Sequence, residues 1–186
     1  MSSNVPTRYN TVAMTLHWLI AIAIVSLLIV GKYMHGLPNS DPNKFFLYQM
    51  HKSFGITVLV LTVVRIFWRF GHPVPALPAT MPEWQKWASH IVHFGLYALM
   101  LAIPLSGWAV ASSSSSGIPT ILFGLVELPH LPVGNDHDTH ELYEEVHELL
   151  GNLMILLLIG HVAAALKHHF VDKDTVLTRM LPFTRG

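Results

Sequence analysis

The sequence predicts an all-α, integral membrane four-helix bundle. Apolar residues collect in four long blocks, and only 12% of the 186 residues are charged against 52% hydrophobic. The segments between the blocks are rich in Pro, Ser and acidic residues. A soluble domain usually carries about a quarter of its residues as Asp, Glu, Lys or Arg, so this depletion, concentrated in blocks, points to lipid as the solvent. One transmembrane domain over residues 1–186 is expected.

The four spans are expected at about residues 12–33, 48–70, 87–111 and 146–170. Each supplies roughly 20 residues, enough to cross ~30 Å of hydrocarbon at 1.5 Å per residue. The first block is too long for a signal-peptide core and lacks a clear small-x-small cleavage site, so it reads as a retained span. Pro104 should bend the third helix locally, which a bundle tolerates. Gly55, Gly95, Gly107, Gly151 and Gly160 are positions for close helix contact. The segment Ile118–Leu128 is too short for a fifth span and reads as an interfacial helix or a loop over the bundle.

Charge orients the spans. Arg8, Arg65, Arg69, Lys86, Lys167, Lys173, Arg179 and Arg185 fall on one side, against Lys32, Lys44 and Lys52 on the other. The latter side also carries Asp41, Glu127, Asp136, Asp138, Glu141, Glu144, Glu145 and Glu148. This bias puts both termini in the cytoplasm and the long acidic connection in the periplasm of a bacterial inner membrane. The formal net charge is zero, with no basic excess to recruit nucleic acid. The absence of Cys excludes disulfides, Cys-ligated iron–sulfur clusters and covalent c-type haem attachment.

Histidine carries the chemistry. His17 lies at the inner start of the first span, His51 at the outer start of the second, and His147 at the outer start of the fourth. His161 follows His147 by fourteen residues, almost four turns and about 21 Å, so the two face nearly the same way at different depths. The topology therefore sets His51 beside His147 at the outer level and His17 beside His161 at the inner level. Buried imidazoles in a membrane need partners, and two can take both axial positions of a haem iron. Two non-covalently bound haem b groups, each with iron between a pair, are the expected cofactors. Structural polar contacts or a proton path are the alternatives. No Met pair repeats the two-level arrangement.

Other residues are more ambiguous. Arg65 and Arg69, one turn apart at the inner end of the second span, suit haem propionates or a quinone headgroup, or act as positive-inside anchors. His90 and His93 share roughly one face of the third helix and are candidates for a quinone site, proton transfer or propionate contact. His168, next to His169 and Lys167, suits a propionate or an ordinary interfacial cluster. His35, His72 and His130 read as loop residues. The five Trp read as interfacial anchors. Asp136, His137, Asp138, His140 and Glu144 supply metal-donor types, but a hydrated acidic loop explains them more simply.

Several stretches resemble the bacterial di-haem cytochrome b561 family, closest in pattern to its superoxide oxidase member. They are HWL at His17–Leu19, MHKSFGI at Met50–Ile56, HELLGNL at His147–Leu153, GHVAAALKHHF at Gly160–Phe170 and KDTVLTRMLP at Lys173–Pro182. The resemblance covers nearly the whole chain. It implies axial histidines at His17, His51, His147 and His161, with pairs His51/His147 and His17/His161, and electron exchange with membrane quinone. It further implies an oxidoreductase that oxidises periplasmic superoxide to dioxygen and reduces ubiquinone. A quinone-linked electron carrier serving a periplasmic redox protein, and a non-catalytic haem-containing membrane anchor subunit, stay open. The outer loop departs from a superoxide-attracting pattern, because its acids repel an anion; Lys32, Lys44 and Lys52 are candidates for a local positive entrance.

Overall fold

The computed structural model describes residues 6–183; Arg185, counted above among the inner cations, lies outside the described residues. Four helices form the bundle: α1 Thr11–His35, α2 Lys44–Gly71, α3 Glu83–Ser113 and α4 His137–Lys167. All are long and apolar enough to cross a membrane, and the chain is a multi-pass membrane protein. Consecutive helices α1–α2, α2–α3 and α3–α4 pack side by side.

Local sequence sets the ends. The Asn10 side chain accepts from Ala13 N at 2.9 Å and caps α1. The same oxygen accepts from Trp68 Nε1 at 3.0 Å, tying the start of α1 to the far end of α2. His72 terminates α2 with extended backbone, φ −134° and ψ 137°, the conformation a residue before proline is driven to. Glu83 sits in the first turn of α3, where a negative charge meets the positive end of the helix dipole. The helix runs without interruption through Pro104. Both chain ends meet at one end of the bundle: Tyr9 N donates to Arg179 O at 3.3 Å and Trp18 Nε1 to Met180 O at 2.8 Å.

The fourth helix starts nine residues earlier than the expected span. Asp136 accepts from both Thr139 N at 3.0 Å and Thr139 Oγ1 at 2.7 Å, a cap strong enough to start a helix in polar sequence. The residues expected as a hydrated acidic loop, from His137 to Glu145, are therefore helical. A hydropathy window registers only the lipid-covered part of such a helix. At its inner end α4 passes into a π-helical turn, His168–Asp172.

The segment 118–128 is neither an interfacial helix nor irregular. It forms a two-stranded antiparallel hairpin, β1 Thr120–Leu122 and β2 Val126–Leu128, paired Thr120 to Leu128 and Leu122 to Val126. The hairpin lies against α2, where Gln49 Nε2 donates to Pro119 O at 3.1 Å and Phe123 N donates to Ser53 Oγ at 3.0 Å.

Candidate functional site

The helices bring the four histidines together in pairs. The ring centres of His51 on α2 and His147 on α4 are 6.3 Å apart, and those of His17 on α1 and His161 on α4 are also 6.3 Å apart. The ring planes are inclined at 82° in the first pair and 69° in the second, so neither pair stacks face to face. Two imidazoles bound to opposite sides of one metal atom at about 2 Å each hold their ring centres roughly 6 Å apart. Both pairs thus have the spacing that a bis-imidazole metal centre requires.

The outer pair borders an open cavity of about 810 Å³ lined by all four helices and the hairpin, within the usual range for ligand sites. Glycine makes the room. A Cβ on Gly107 would lie 3.0 Å from His147 Cε1 and 3.3 Å from its Nδ1, and a Cβ on Gly31 would lie 3.2 Å from His51 Cε1. Of the glycines expected at close contacts, Gly95 abuts Leu157, whereas Gly55, Gly151 and Gly160 have nothing within 4 Å.

A carbonyl and a hydroxyl of α3 orient His147. Ile103 O accepts from Ser106 Oγ at 2.9 Å and from His147 Nδ1 at 3.1 Å. Ser106 Oγ also lies 3.0 Å from His147 Nδ1. Donation from Nδ1 fixes the tautomer and leaves the Nε2 lone pair for a ligand, as second-sphere carbonyls do for metal-bound histidine. His51 carries a buried Nδ1 with no hydrogen-bond partner among the described residues. A buried nitrogen left without a partner is costly, as expected of a ring at a ligand site that the protein alone does not complete. These observations fit haem.

At the inner level Arg65 spans three helices: Nη1 donates to Ala13 O at 2.7 Å and Nε to Tyr97 Oη at 3.1 Å, while Nη2 is 3.5 Å from His17 Nδ1. The last distance is too long to set a tautomer. Arg65 and Arg69 both line a small cleft with Trp68, His72 and Tyr97. His93 joins the inner pair, its ring 5.4 Å from that of His161 and its Nδ1 2.7 Å from Ser89 O. His90 is exposed one turn away.

His168 sits in an interfacial cluster, one of the two arrangements expected of it. Its Nδ1 lies 2.7 Å from Asp174 Oδ2 and 3.2 Å from Asp172 Oδ2, and Lys167 Nζ bonds Asp172 at 2.6 Å. His168, Asp172 and Asp174 are the one three-donor cluster of metal-ligating type among the described residues, and the Lys167 ammonium already pairs with its Asp172. The outer donors His137 and His140 instead pair along α4, with Glu141 at 3.6 Å and Glu144 at 3.5 Å. His72, read as a loop residue, caps α2 and stacks on Trp68 with ring centres 3.9 Å apart.

The outer cations are partly committed. Lys32 Nζ bonds Glu148 at 2.7 Å, and Lys44 Nζ bonds Leu37 O at 2.6 Å and Asn39 Oδ1 at 2.9 Å. Glu141, Glu144, Glu145 and Glu148 border the same cavity as Lys32, Lys44 and Lys52.

Sequence reasoning did not single out Ser106, Tyr97 or Gly31. Their partners lie on other helices, so no local spacing marks them.

A four-helix membrane bundle with imidazoles paired at two depths defines a class of membrane redox protein. The chain belongs to the prokaryotic cytochrome b561 family, whose pattern matches residues 8–183, and membrane electron transfer is its general function. It is 33% identical over 180 residues to cytochrome b561 homolog 2 of Escherichia coli, covering 96% of this chain and 94% of that one. It is 30% identical over 181 residues to a Yersinia pestis protein named "Probable superoxide oxidase CybB", covering 96% and 98%. An Escherichia coli protein named "Probable Ni/Fe-hydrogenase 1 B-type cytochrome subunit" is 24% identical over 201 residues, covering 89% and 84%.

Proposed function

We propose that this chain carries electrons across a bacterial inner membrane between two b-type haems and delivers them to ubiquinone. The observation that carries this reading is the equal 6.3 Å separation of two imidazole pairs on the same bundle. In it, His51 and His147 hold the outer haem and His17 and His161 the inner one. Haem with imidazole on both faces supplies one-electron transfer with no open coordination position.

The chain's own groups have distinct tasks. Ile103 O and Ser106 keep His147 in one tautomer, while Gly31 and Gly107 admit the outer imidazoles. Arg65, Arg69, His90 and His93 are the inner-side groups placed to meet propionates or a quinone headgroup, with Arg65 already tethering α1 to α3. His168, occupied by its two aspartates, contributes less directly by securing the end of α4. Both termini lie on the cytoplasmic side in this orientation.

Superoxide is the donor supported by similarity to the Yersinia pestis protein. The outer electrostatics favour a second reading, a periplasmic redox protein with a basic face, because Glu148 neutralises Lys32 and three further glutamates border the cavity. A role as the anchor subunit of a larger enzyme is the form this second reading takes if the partner stays bound.

Stopped-flow reduction by superoxide, coupled to quinol formation in liposomes, tests the proposal. Fast haem reduction with matching quinol formation establishes the superoxide reading. Reduction by quinol alone, without reaction toward superoxide, favours quinone-linked transfer with a donor or acceptor other than superoxide. No electron exchange with quinone in either direction would overturn quinone-linked transfer.

A further inference from the structure

We propose that the β1–β2 hairpin is a re-entrant element whose turn is embedded in the outer leaflet, with lipid acyl chains covering Phe123, Leu125 and Val126.

The depth of the hairpin follows from α2. The chain descends along this helix, with Pro119 O bonded to Gln49 and Phe123 N bonded one turn further in, to Ser53. The Phe123 ring meets Phe54 edge-on at 5.2 Å. A hydrocarbon core of ~30 Å takes about 20 helical residues. If its inner boundary falls at Arg65, the outer boundary falls near residue 45; if at Arg69, near residue 49. Even with every residue to Gly71 inside the core, the outer boundary falls near residue 51. Ser53 is then about 3 Å to about 12 Å inside the hydrocarbon, counted at 1.5 Å per residue. Helix tilt would only move the boundary outward. A turn bonded to Ser53 therefore shares its depth.

The turn is built for that environment. Backbone at membrane depth needs its polar groups satisfied within the protein, and the N–H groups of the three turn residues 123–125 are. Phe123 N donates to Ser53 Oγ at 3.0 Å, Gly124 N to Ile121 O at 3.5 Å, and Leu125 N to Leu122 O at 2.9 Å. A hairpin turn in water favours Asn, Asp or Gly where φ is positive. Phe123 and Gly124 adopt φ of 50° and 74°, so an aromatic ring occupies a left-handed position where a small polar residue is easier to place. From Leu122 to Val126 the sequence has no polar side chain, yet Leu125 is 84% and Val126 60% exposed on the protein surface. Glu127, two residues past Leu125, is about 7 Å nearer the water at strand rise and can reach the headgroups.

The other side of the hairpin faces the outer cavity. Ile118, Thr120 and Leu128 line it, and Thr120 is buried. An embedded turn would thus close the lateral path from the outer leaflet into that cavity beside α2.

The chain has no native Cys, so a spin label can be placed at a single site in the full-length protein. Leu125→Cys is compared in lipid nanodiscs with Ile22→Cys, an exposed residue of α1, and Asn135→Cys, an exposed residue before α4. The relative accessibility of each label to oxygen and to a water-soluble nickel chelate is measured. Embedding predicts that Leu125 favours oxygen several-fold over the chelate, as Ile22 does, while Asn135 shows the reverse. Chelate accessibility at Leu125 equal to that at Asn135 would overturn the proposal. Low accessibility to both probes with spin–spin broadening between labels would also overturn it, assigning the tip to a second copy of the chain. If Leu125→Cys fails to fold, Val126→Cys supplies the same readout with the same deciding outcomes.

Discussion

Gly107→Ala should weaken binding of the outer haem and spare the inner one. The added methyl would stand 3.0 Å from His147 Cε1, 3.3 Å from Nδ1 and 3.7 Å from Nε2, so it meets the ring along one side. The ring cannot turn away freely, because Nδ1 is held by Ile103 O at 3.1 Å and by Ser106 at 3.0 Å. Overpacking of this kind costs about 1–3 kcal/mol, which is a loss of about 5-fold to about 150-fold in affinity at 1.4 kcal/mol per decade. Gly31→Ala, with its nearest contact to His51 at 3.2 Å, should weaken the same centre less. Gly71→Ala, with nothing within 4 Å, is the control for the change in helix propensity. Competitive haem transfer to an apo-globin, followed by absorbance, gives the affinity of each centre. Retention of outer-haem affinity in Gly107→Ala within the range of Gly71→Ala would refute the assignment of His147 to that site.

Ser106→Ala should lower outer-haem affinity by no more than about tenfold, the lower end for loss of a second-sphere partner, because Ile103 O still accepts from Nδ1; the same transfer assay reads it. Arg65→Lys should reduce thermal stability by about 1.5–3 kcal/mol, the worth of a charge-assisted hydrogen bond, since one ammonium cannot reach both Ala13 O and Tyr97 Oη in the present geometry. A thermal melt in detergent checks it. At Asp136, bonds from Thr139 hold the carboxyl below the usual carboxylate range. Its folded pKa is therefore the lower one, and the capping contribution is present above the unfolded value near 4 and lost as pH falls through the folded value. Amide exchange in the first turn of α4 should rise over that acidic window in the native protein and be insensitive to it in Asp136→Asn.

The bundle was legible because lipid imposes a coarse rule: long apolar runs are helices, and their number fixes which ends meet. The same rule hid the start of α4, where Asp136 and Thr139 build a helix in sequence too polar to register as a span. The histidine pairs were legible from the fourteen-residue interval between His147 and His161 and from the alternating direction of the four helices, since rise and direction alone decide which imidazoles share a depth. The orienting groups were not. Ser106 reaches His147 across forty-one positions and Arg65 reaches Tyr97 across thirty-two, and nothing local in sequence selects one serine or tyrosine over its neighbours. His168 carried two readings, a propionate contact or an ordinary interfacial cluster, and the cluster partner Asp174, brought back by the π-helical turn and the left-handed Lys173 (φ 52°), could not be named from local spacing. The hairpin escaped because its strands span three residues each, too few for alternation to show.

The central claim is that paired imidazoles at two depths each hold a haem, and one measurement tests it directly. Haem content and the reduced-minus-oxidised spectrum are determined for the purified chain, His51→Ala and His161→Ala. The account predicts two non-covalent haems in the parent, loss of only the outer component in His51→Ala, and loss of only the inner component in His161→Ala. A parent with a single haem or none, or either variant with both spectral components intact, would contradict it.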